Sequence, residues 1–321
     1  QNYQYVNTNS NTPWSNIYTG VLRQAREIRS GIEVTNKDFF YGASKVLEAH
    51  AVGTAVNIFG DVPYSEASND DILAPKFDTQ TDVYVALQLL LDEAILDLQS
   101  AATNGGISED IYFGGDSYKW IKAAYTLKAR LFLDVRNYSS ALTAAQKGIS
   151  SESESMKYNP PAVILTGDTN LLNQFFTGSF SDDLATKGSF LIDLIGTGVS
   201  SRNNTKTNEF DRAAYYYDGV DINLSGIAAN DEPMNQISCQ ENLLTWSEAA
   251  LRASASNFDV SLEKLNEHRA NLRNGVYFPA NSGVYDDYVE VDFLPSGIEN
   301  VDGSLSKEDA LLREIIEERH V

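Results

Sequence analysis

Cysteine is almost missing from this sequence of 321 residues, which has only Cys239. One cysteine excludes an internal disulfide framework, and with no partner thiol or low-pKa motif it reads as a small buried hydrophobe. Histidine is scarce as well: His50, His268 and His320 occur singly, with neither HExxH nor a cysteine at ligand spacing, which argues against a zinc site. Positive charge is short, with 24 Lys plus Arg against 45 Asp plus Glu and a formal charge of −21. Such a surface repels phosphate backbones and anionic headgroups, so no nucleic-acid partner is expected. No run reaches the roughly 18 apolar residues that a bilayer span needs. GxSxG and GxxxxGK[ST] are both absent, and Gly196-Thr197-Gly198 starts like a dinucleotide fingerprint but lacks its third glycine. The sequence opens on Gln1 with no basic or hydrophobic targeting segment, so the protein is either cytosolic or has lost a signal. The last helical pattern runs to Val321 without a stop signal, and the chain is expected to be incomplete at both ends.

What is present is mostly helical. Val83, Leu87, Leu90, Leu91, Ala94, Ile95 and Leu98 recur at helical spacing, with Asp82, Asp92, Glu93 and Asp97 off that stripe. A second stripe runs through Trp120, Ala124, Leu127 and Leu131 with Ser117 as its candidate cap, and a third through Ala141, Ala145 and Ile149 after a break near Asn137. Leu243, Trp246 and Ala250, then Leu262, Leu265, Arg269 and Leu272, predict another helix pair, which short linkers force to lie antiparallel. Trp120 and Trp246 are read as core. Between Ser150 and Gln240, Ser, Asn, Gly and Asp are dense, and only 182–195 offers a short helix or buried strand. Val289, Val291 and Phe293 alternate with Glu290 and Asp292, which predicts one short strand. The fold class is therefore mostly α, built of antiparallel helix pairs with long irregular loops and little β.

Upstream of Gly60, the short side chains of Ala49, Ala51, Gly53 and Ala55 permit close helix–helix approach. Gly60 then stops the helix by accepting a left-handed backbone, and Pro63 prevents its resumption. The stretch Phe59-Gly60-Asp61-Val62-Pro63-Tyr64-Ser65-Glu66-Ala67 resembles the signature of SusD-like (SusD/RagB) proteins, where a long helix ends in a Gly-Asp-Val-Pro-Tyr turn. The helical stripe from Trp14 to Ile28 is similar to the aromatic-led helix before that signature. Leu311 to Arg319, with Glu317-Glu318-Arg319, resembles the family's late helix. The resemblance implies tetratricopeptide-type helix pairs in a single domain over 1–321. In that reading 14–150 form a helical layer, 151–240 an irregular ligand-side region, and 241–321 a helix pair with a terminal helix.

The resemblance further implies a lipid-anchored, surface-exposed outer-membrane protein that captures an oligosaccharide or polysaccharide for a SusC-like TonB-dependent transporter. The family's lipid-bearing N-terminal cysteine and the segment before it are not in this sequence, so attachment to the membrane rests on resemblance alone. No catalytic residue is assigned, since nothing singles out an acid pair among so many carboxylates. A tetratricopeptide-like protein-binding scaffold and an α-helical glycoside hydrolase stand as alternatives. Sugars stack on aromatic rings and hydrogen-bond to amides, carboxylates and guanidinium groups. Tyr3, Tyr5, Asn9 and Trp14, then Arg202, Asn203, Asn204 and Tyr217, and finally Tyr285 and Tyr288 offer both kinds of group and form the expected binding residues. Trp14, at the start of a helical stripe, reads as core ahead of the binding role.

No cofactor is required, and calcium is the one candidate ion. Asp221, Asn223, Ser225, Gly226 and Glu232 fall at positions 1, 3, 5, 6 and 12 of an EF-hand-like loop. The preceding residues do not read as an entering helix and Pro233 fits an exiting one poorly, so the segment is read either as a weak calcium site or as a turn-rich loop.

Overall fold

The structure, a computed structural model, describes residues 11–30, 35–161, 169–178, 188–196, 198, 201–277 and 284–321. Contacts cluster into two compact units, Gln1–Val135 and Arg136–Val321. The boundary falls inside the stretch that the sequence groups as one helical layer.

The first unit is helical. α1 (Asn11–Ser15) passes through a π-helical stretch, Asn16–Leu22, into α2 (Arg23–Arg29), followed by α3 (Lys37–Phe59), α4 (Gln80–Ala101) and α5 (Ser117–Asp134). α3 packs against α2, α4 and α5. Its small residues make this possible: a Cβ added at Gly42 would lie 2.5 Å from Leu98 Cγ and 2.9 Å from the Ala94 carbonyl, and one at Gly53 would lie 3.0 Å from Leu131. Thr79 caps α4 by accepting from Asp82 N–H at 3.2 Å. The cap of α5 is Asp116 rather than Ser117. Its carboxylate accepts from Tyr118 and Lys119 N–H at 3.0 and 3.2 Å, while Ser117 is buried at the first helical position.

At the end of α3, Gly60 takes φ +76° and donates its N–H to Val56 O at 3.0 Å, as the sequence predicts. The turn after it is fastened by side chains. Asp78 accepts from Tyr64 and Ser65 N–H at 3.0 and 2.7 Å, and Val62 bridges Asp78 through the backbone. Beneath it lies the Glu48 carboxylate, buried in α3. It accepts from Arg26 at 3.2 Å, from the Tyr64 hydroxyl at 3.0 Å and from Arg29. Trp14 is half-buried, its ring 4.6 Å from Tyr18 and 5.3 Å from Phe59, so it packs the end of α3.

The second unit contains α6 (Tyr138–Ala145), β1 (Met156–Tyr158), α7 (Leu171–Thr177), α8 (Phe190–Ile195), α9 (Phe210–Tyr216), β2 (Met234–Ile237), α10 (Cys239–Ala253), α11 (Phe258–Arg273) and α12 (Lys307–His320). β1 and β2 form an antiparallel pair, with Met156 opposite Ile237 and Tyr158 opposite Met234. α10 is the hub, touching α6, α11 and α12. Leu244, Leu251, Phe258, Leu265, Phe293, Leu311 and Ile315 form its core. Ser247 and Ser261 exchange hydroxyl-to-carbonyl bonds of 2.7 and 2.8 Å, which satisfies two buried hydroxyls where α10 meets α11. The strand expected at 289–293 is a 3-10 turn, Glu290–Asp292, instead. Asp292 accepts from Val289 N–H at 2.8 Å and folds the chain back, and Val289 and Val291 are both exposed, so the alternation did not mark a buried face. Trp246 is half-buried rather than core, with the Lys264 ammonium 4.5 Å above its ring.

Candidate functional site

Within the second unit, helix spacing turns acidic and basic residues inward. Glu314 and Glu318 lie one turn apart on the face of α12 that also carries Leu311 and Ile315, and all four are buried. His268 and Arg269 follow Leu265 on α11 and are buried too. Arg202 and Arg212 meet these carboxylates. Arg202 donates to Glu209 at 3.0 Å, to Glu314 at 2.7 Å and to Glu318. Arg212 donates to Glu318 at 2.6 Å and to Glu209 at 2.6 and 2.7 Å. The His268 imidazole completes the set, with Nε2 2.9 Å from Glu318 Oε1.

Burial pushes the Glu318 carboxyl up, but Arg202 and Arg212 outweigh it and hold the group well below the usual carboxylate range. Glu314 goes the other way. Burial drives it up to about 8 against the pull of Arg202. Removing a member of such a dry network leaves an uncompensated charge, which costs about 3–5 kcal/mol, whereas the intact network need add little net stability.

Next to this network opens a cleft of about 560 Å³, within the size range of small-molecule sites. Arg212, His268 and Glu318 contribute its buried floor, and Tyr215, Tyr216 and Tyr277 its aromatic walls. Asn170, Asn235, Gln240, Glu232, Glu241, Lys157 and Arg319 add polar groups. α9 supplies two of the rings, the end of α11 the imidazole, and α12 the carboxylate. The Tyr277 ring lies 5.3 Å from the His268 ring at an interplanar angle of 32°, and Tyr277 OH accepts from Asn271 at 3.0 Å. Tyr215 donates its hydroxyl to Glu232 at 2.7 Å. Rings beside amides and carboxylates in one concavity suit a polyhydroxylated ligand.

The residues expected to bind from sequence are distributed differently. Arg202, Asn204, Tyr285 and Tyr288 do come together, but inside the unit. Arg202 is locked in the ion network, and Asn204 donates to Glu299 at 2.7 Å. Tyr285 is fully buried and donates to Glu209 at 2.8 Å, and Tyr288 lies under the Arg269 guanidinium, 3.9 Å from its ring centroid. These groups are corrected from sugar-facing to structural, because no face of either ring is open. Asn203 is exposed and holds the loop before α9, accepting from Glu209 N–H at 2.7 Å. Tyr217 is half-buried and bonds Gly219 O at 2.7 Å. Trp14 belongs to the other unit, and Tyr3, Tyr5 and Asn9 lie outside the described residues.

Asp221, Asn223 and Glu232 of the calcium-like loop are each engaged by other protein groups. Asp221 accepts from Ile222 N–H at 2.8 Å, Asn223 accepts from Ser225 N–H at 2.8 Å and donates to Ala214 O at 2.7 Å, and Glu232 turns to Tyr215. Tyr217 bridges Ile222, which makes a hairpin-like turn of this segment. Gly226 is needed for closeness, not for its backbone angles: a Cβ there would lie 2.1 Å from Tyr215 O. Among the described residues no cluster of three His, Cys, Asp or Glu side chains could hold a metal. This arrangement does not fit an ion cradle, and no step is derived through calcium.

Periodicity conceals the cleft, because His268 and Glu318 are polar residues on helices whose apolar stripes alone mark the core, yet both are buried. The usable signal is the reverse: charged residues at buried positions of a helix need partners.

Comparison with known proteins is consistent with this architecture. The profile of a SusD-like family, described as starch-binding and associating with the outer membrane, matches residues 1–252. A SusD/RagB family protein of Bacteroides thetaiotaomicron superposes with a TM-score of 0.56 at 21% identity, over 83% of this chain and 61% of that one. A chitin-binding SusD homologue of Flavobacterium johnsoniae gives 0.65 at 20% identity, over 95% and 70%. A SusD homologue of Bacteroides vulgatus gives 0.60 at 16%, over 97% and 74%. The chain thus shares their fold while spanning 61% of the first protein's length and 70% of the second's. No curated protein matches it significantly.

Proposed function

The chain belongs to the SusD-like family, and on that premise we propose that it is a carbohydrate-binding protein of the outer-membrane surface. It captures oligosaccharide released from a polysaccharide and passes it to a SusC-like TonB-dependent transporter. Binding is non-covalent, and no catalytic residue is assigned. The observation that carries this reading is the family match, which covers more than three quarters of the sequence. The cleft of the second unit supports it, since it sets aromatic rings beside amides and carboxylates. None of the described helices is long and apolar enough to cross a membrane; in this reading attachment is through a lipid anchor.

Two probes follow from the relatives. The family's description names starch, and one protein of the same fold is chitin-binding. Calorimetric titration with maltotriose, triacetylchitotriose and a wider panel of oligosaccharides is expected to give saturable heat with at least one, with no new reducing ends after hours of incubation. Absence of heat across the panel overturns the reading, and steady release of reducing ends turns it towards a hydrolase.

A further inference from the structure

The cleft beside the ion network has two properties that the family reading does not supply. The first is its charge. The chain carries −21 overall, yet the cleft's Lys157, Arg212 and Arg319 are matched by Glu232, Glu241 and Glu318. Most of these charges are already committed: Arg212 to Glu209 and Glu318, Arg319 to Glu248 at 2.9 Å, and Lys157 to Glu152. An ionic ligand would find no surplus charge there and would meet the repulsion of the whole acidic chain. A neutral one meets neither obstacle.

The second property is an unsatisfied group in the cleft wall. His268 is 2% exposed, and its Nδ1 has no hydrogen-bond partner among the described residues. A carboxylate only accepts, so Nε2 carries the proton shared with Glu318, and in the neutral ring Nδ1 keeps a lone pair. A buried acceptor without a donor is costly, and a hydroxyl brought by a ligand removes the cost. Tyr277 packs on this imidazole, and both residues line the cavity.

Resting on the carbohydrate reading above, we propose that this cleft is the binding site for a neutral oligosaccharide. One sugar ring stacks on Tyr277, and a sugar hydroxyl donates to His268 Nδ1 as the Tyr277 ring tips to admit it. Glu318 acts as a positioning residue that fixes the imidazole. Recognition is by stacking and hydroxyl pairing, and uronic or sulfated sugars are excluded by charge.

The test titrates the protein with maltotriose, triacetylchitotriose and trigalacturonic acid. The expected result is binding of at least one neutral trisaccharide, at least tenfold tighter than trigalacturonic acid. Tyr277→Leu should weaken it about 5- to 100-fold, as for an interface anchor, and His268→Gln, which keeps a donor towards Glu318 but loses the acceptor, about three- to tenfold. In the wild type, labelled with ¹⁵N-histidine and assigned with His50→Gln and His320→Gln, saturation should move the His268 Nδ1 resonance and leave Nε2 in place. That measurement holds even if a cleft variant fails to fold. Binding of none of these sugars overturns the inference, and absence of binding across the wider oligosaccharide panel overturns the carbohydrate reading with it. Neutral sugar binding that Tyr277→Leu leaves intact, a still Nδ1 resonance at saturation, loss of binding in Tyr217→Ala alone, or preference for trigalacturonic acid overturns the inference alone.

Discussion

The two units both bury a carboxylate among arginines, and they do so under different conditions. In the first, Glu48 stands alone between Arg26 and Arg29, whose side chains remain 27% and 16% exposed, so water shares the work of solvating the charges. In the second, Arg202, Glu209, Arg212 and Glu318 are each no more than 4% exposed and depend wholly on one another. The first arrangement acts as a fastener: Arg26 reaches Tyr64 O at 3.1 Å and Ala67 O at 2.5 Å, and so ties α2 and α3 to the turn after Gly60. The second shapes the floor of a cleft. Desolvation is what separates them, because it makes the second network intolerant of any missing partner.

The sharpest way to break this comparison is to remove one charge from each unit. Glu318→Gln should lower the unfolding free energy by about 3–5 kcal/mol, since Arg202 and Arg212 remain buried without it. Glu48→Gln should cost only about 1–3 kcal/mol, as for a charged hydrogen bond whose partners can turn to solvent. Urea denaturation of both variants decides it, and equal losses would mean that burial is not the controlling difference. Next in size is Gly60→Val. Nothing lies within 4 Å of the position its Cβ would take, so the cost is backbone strain alone, about 1–2 kcal/mol. An unchanged melting temperature would remove Gly60 from its capping role.

A subtler contrast is in pH dependence. Glu314 faces Arg202, Arg269, Glu299 and Glu318, and its carboxyl is raised to about 8 by burial. Between the ordinary glutamate value and about 8 the unfolded chain has released this proton while the folded protein still holds it. Stability from this group is therefore full at acid pH and falls as pH rises through that window. Glu318 has the opposite sign: its depressed value adds stability above the ordinary range, lost only in strong acid. Melting curves from pH 5 to 8 should decline less in Glu314→Gln than in the wild type, and parallel curves would show that Glu314 is ionised throughout. The smallest expected effect belongs to the Asp221–Glu232 loop, whose Asp221 and Asn223 already serve backbone donors. Chelator should leave the melting temperature unchanged. A fall that Asp221→Ala abolishes would restore the calcium reading.

Local chemistry made much of the fold legible. The stripe from Val83 to Leu98 is α4, the break near Asn137 separates α5 from α6, and the Gly60 cap has the positive φ that the sequence requires. These features depend on neighbours three or four residues away, which a sequence states directly. Composition does not reveal which way a side chain points: Arg202, Tyr285 and Tyr288 turned inward while Asn203 stayed exposed. Tyr285 and Tyr288 went inward to satisfy Glu209 and Glu299.

The Glu317-Glu318-Arg319 run shows where sequence stops deciding. All three are charged residues in succession on one helix, α12. In the fold Glu317 stays part-exposed, Arg319 pairs with Glu248, and Glu318 is fully enclosed between Arg202, Arg212 and His268. By itself the sequence determined the long helices, the Gly60 cap, the acidic balance and the family resemblance. Only the tertiary structure decided which carboxylates lost their water and which rings line the cleft. The partners of Glu318 lie 50 to 116 residues away, and a charge's cost depends on who surrounds it, not on its place in the chain.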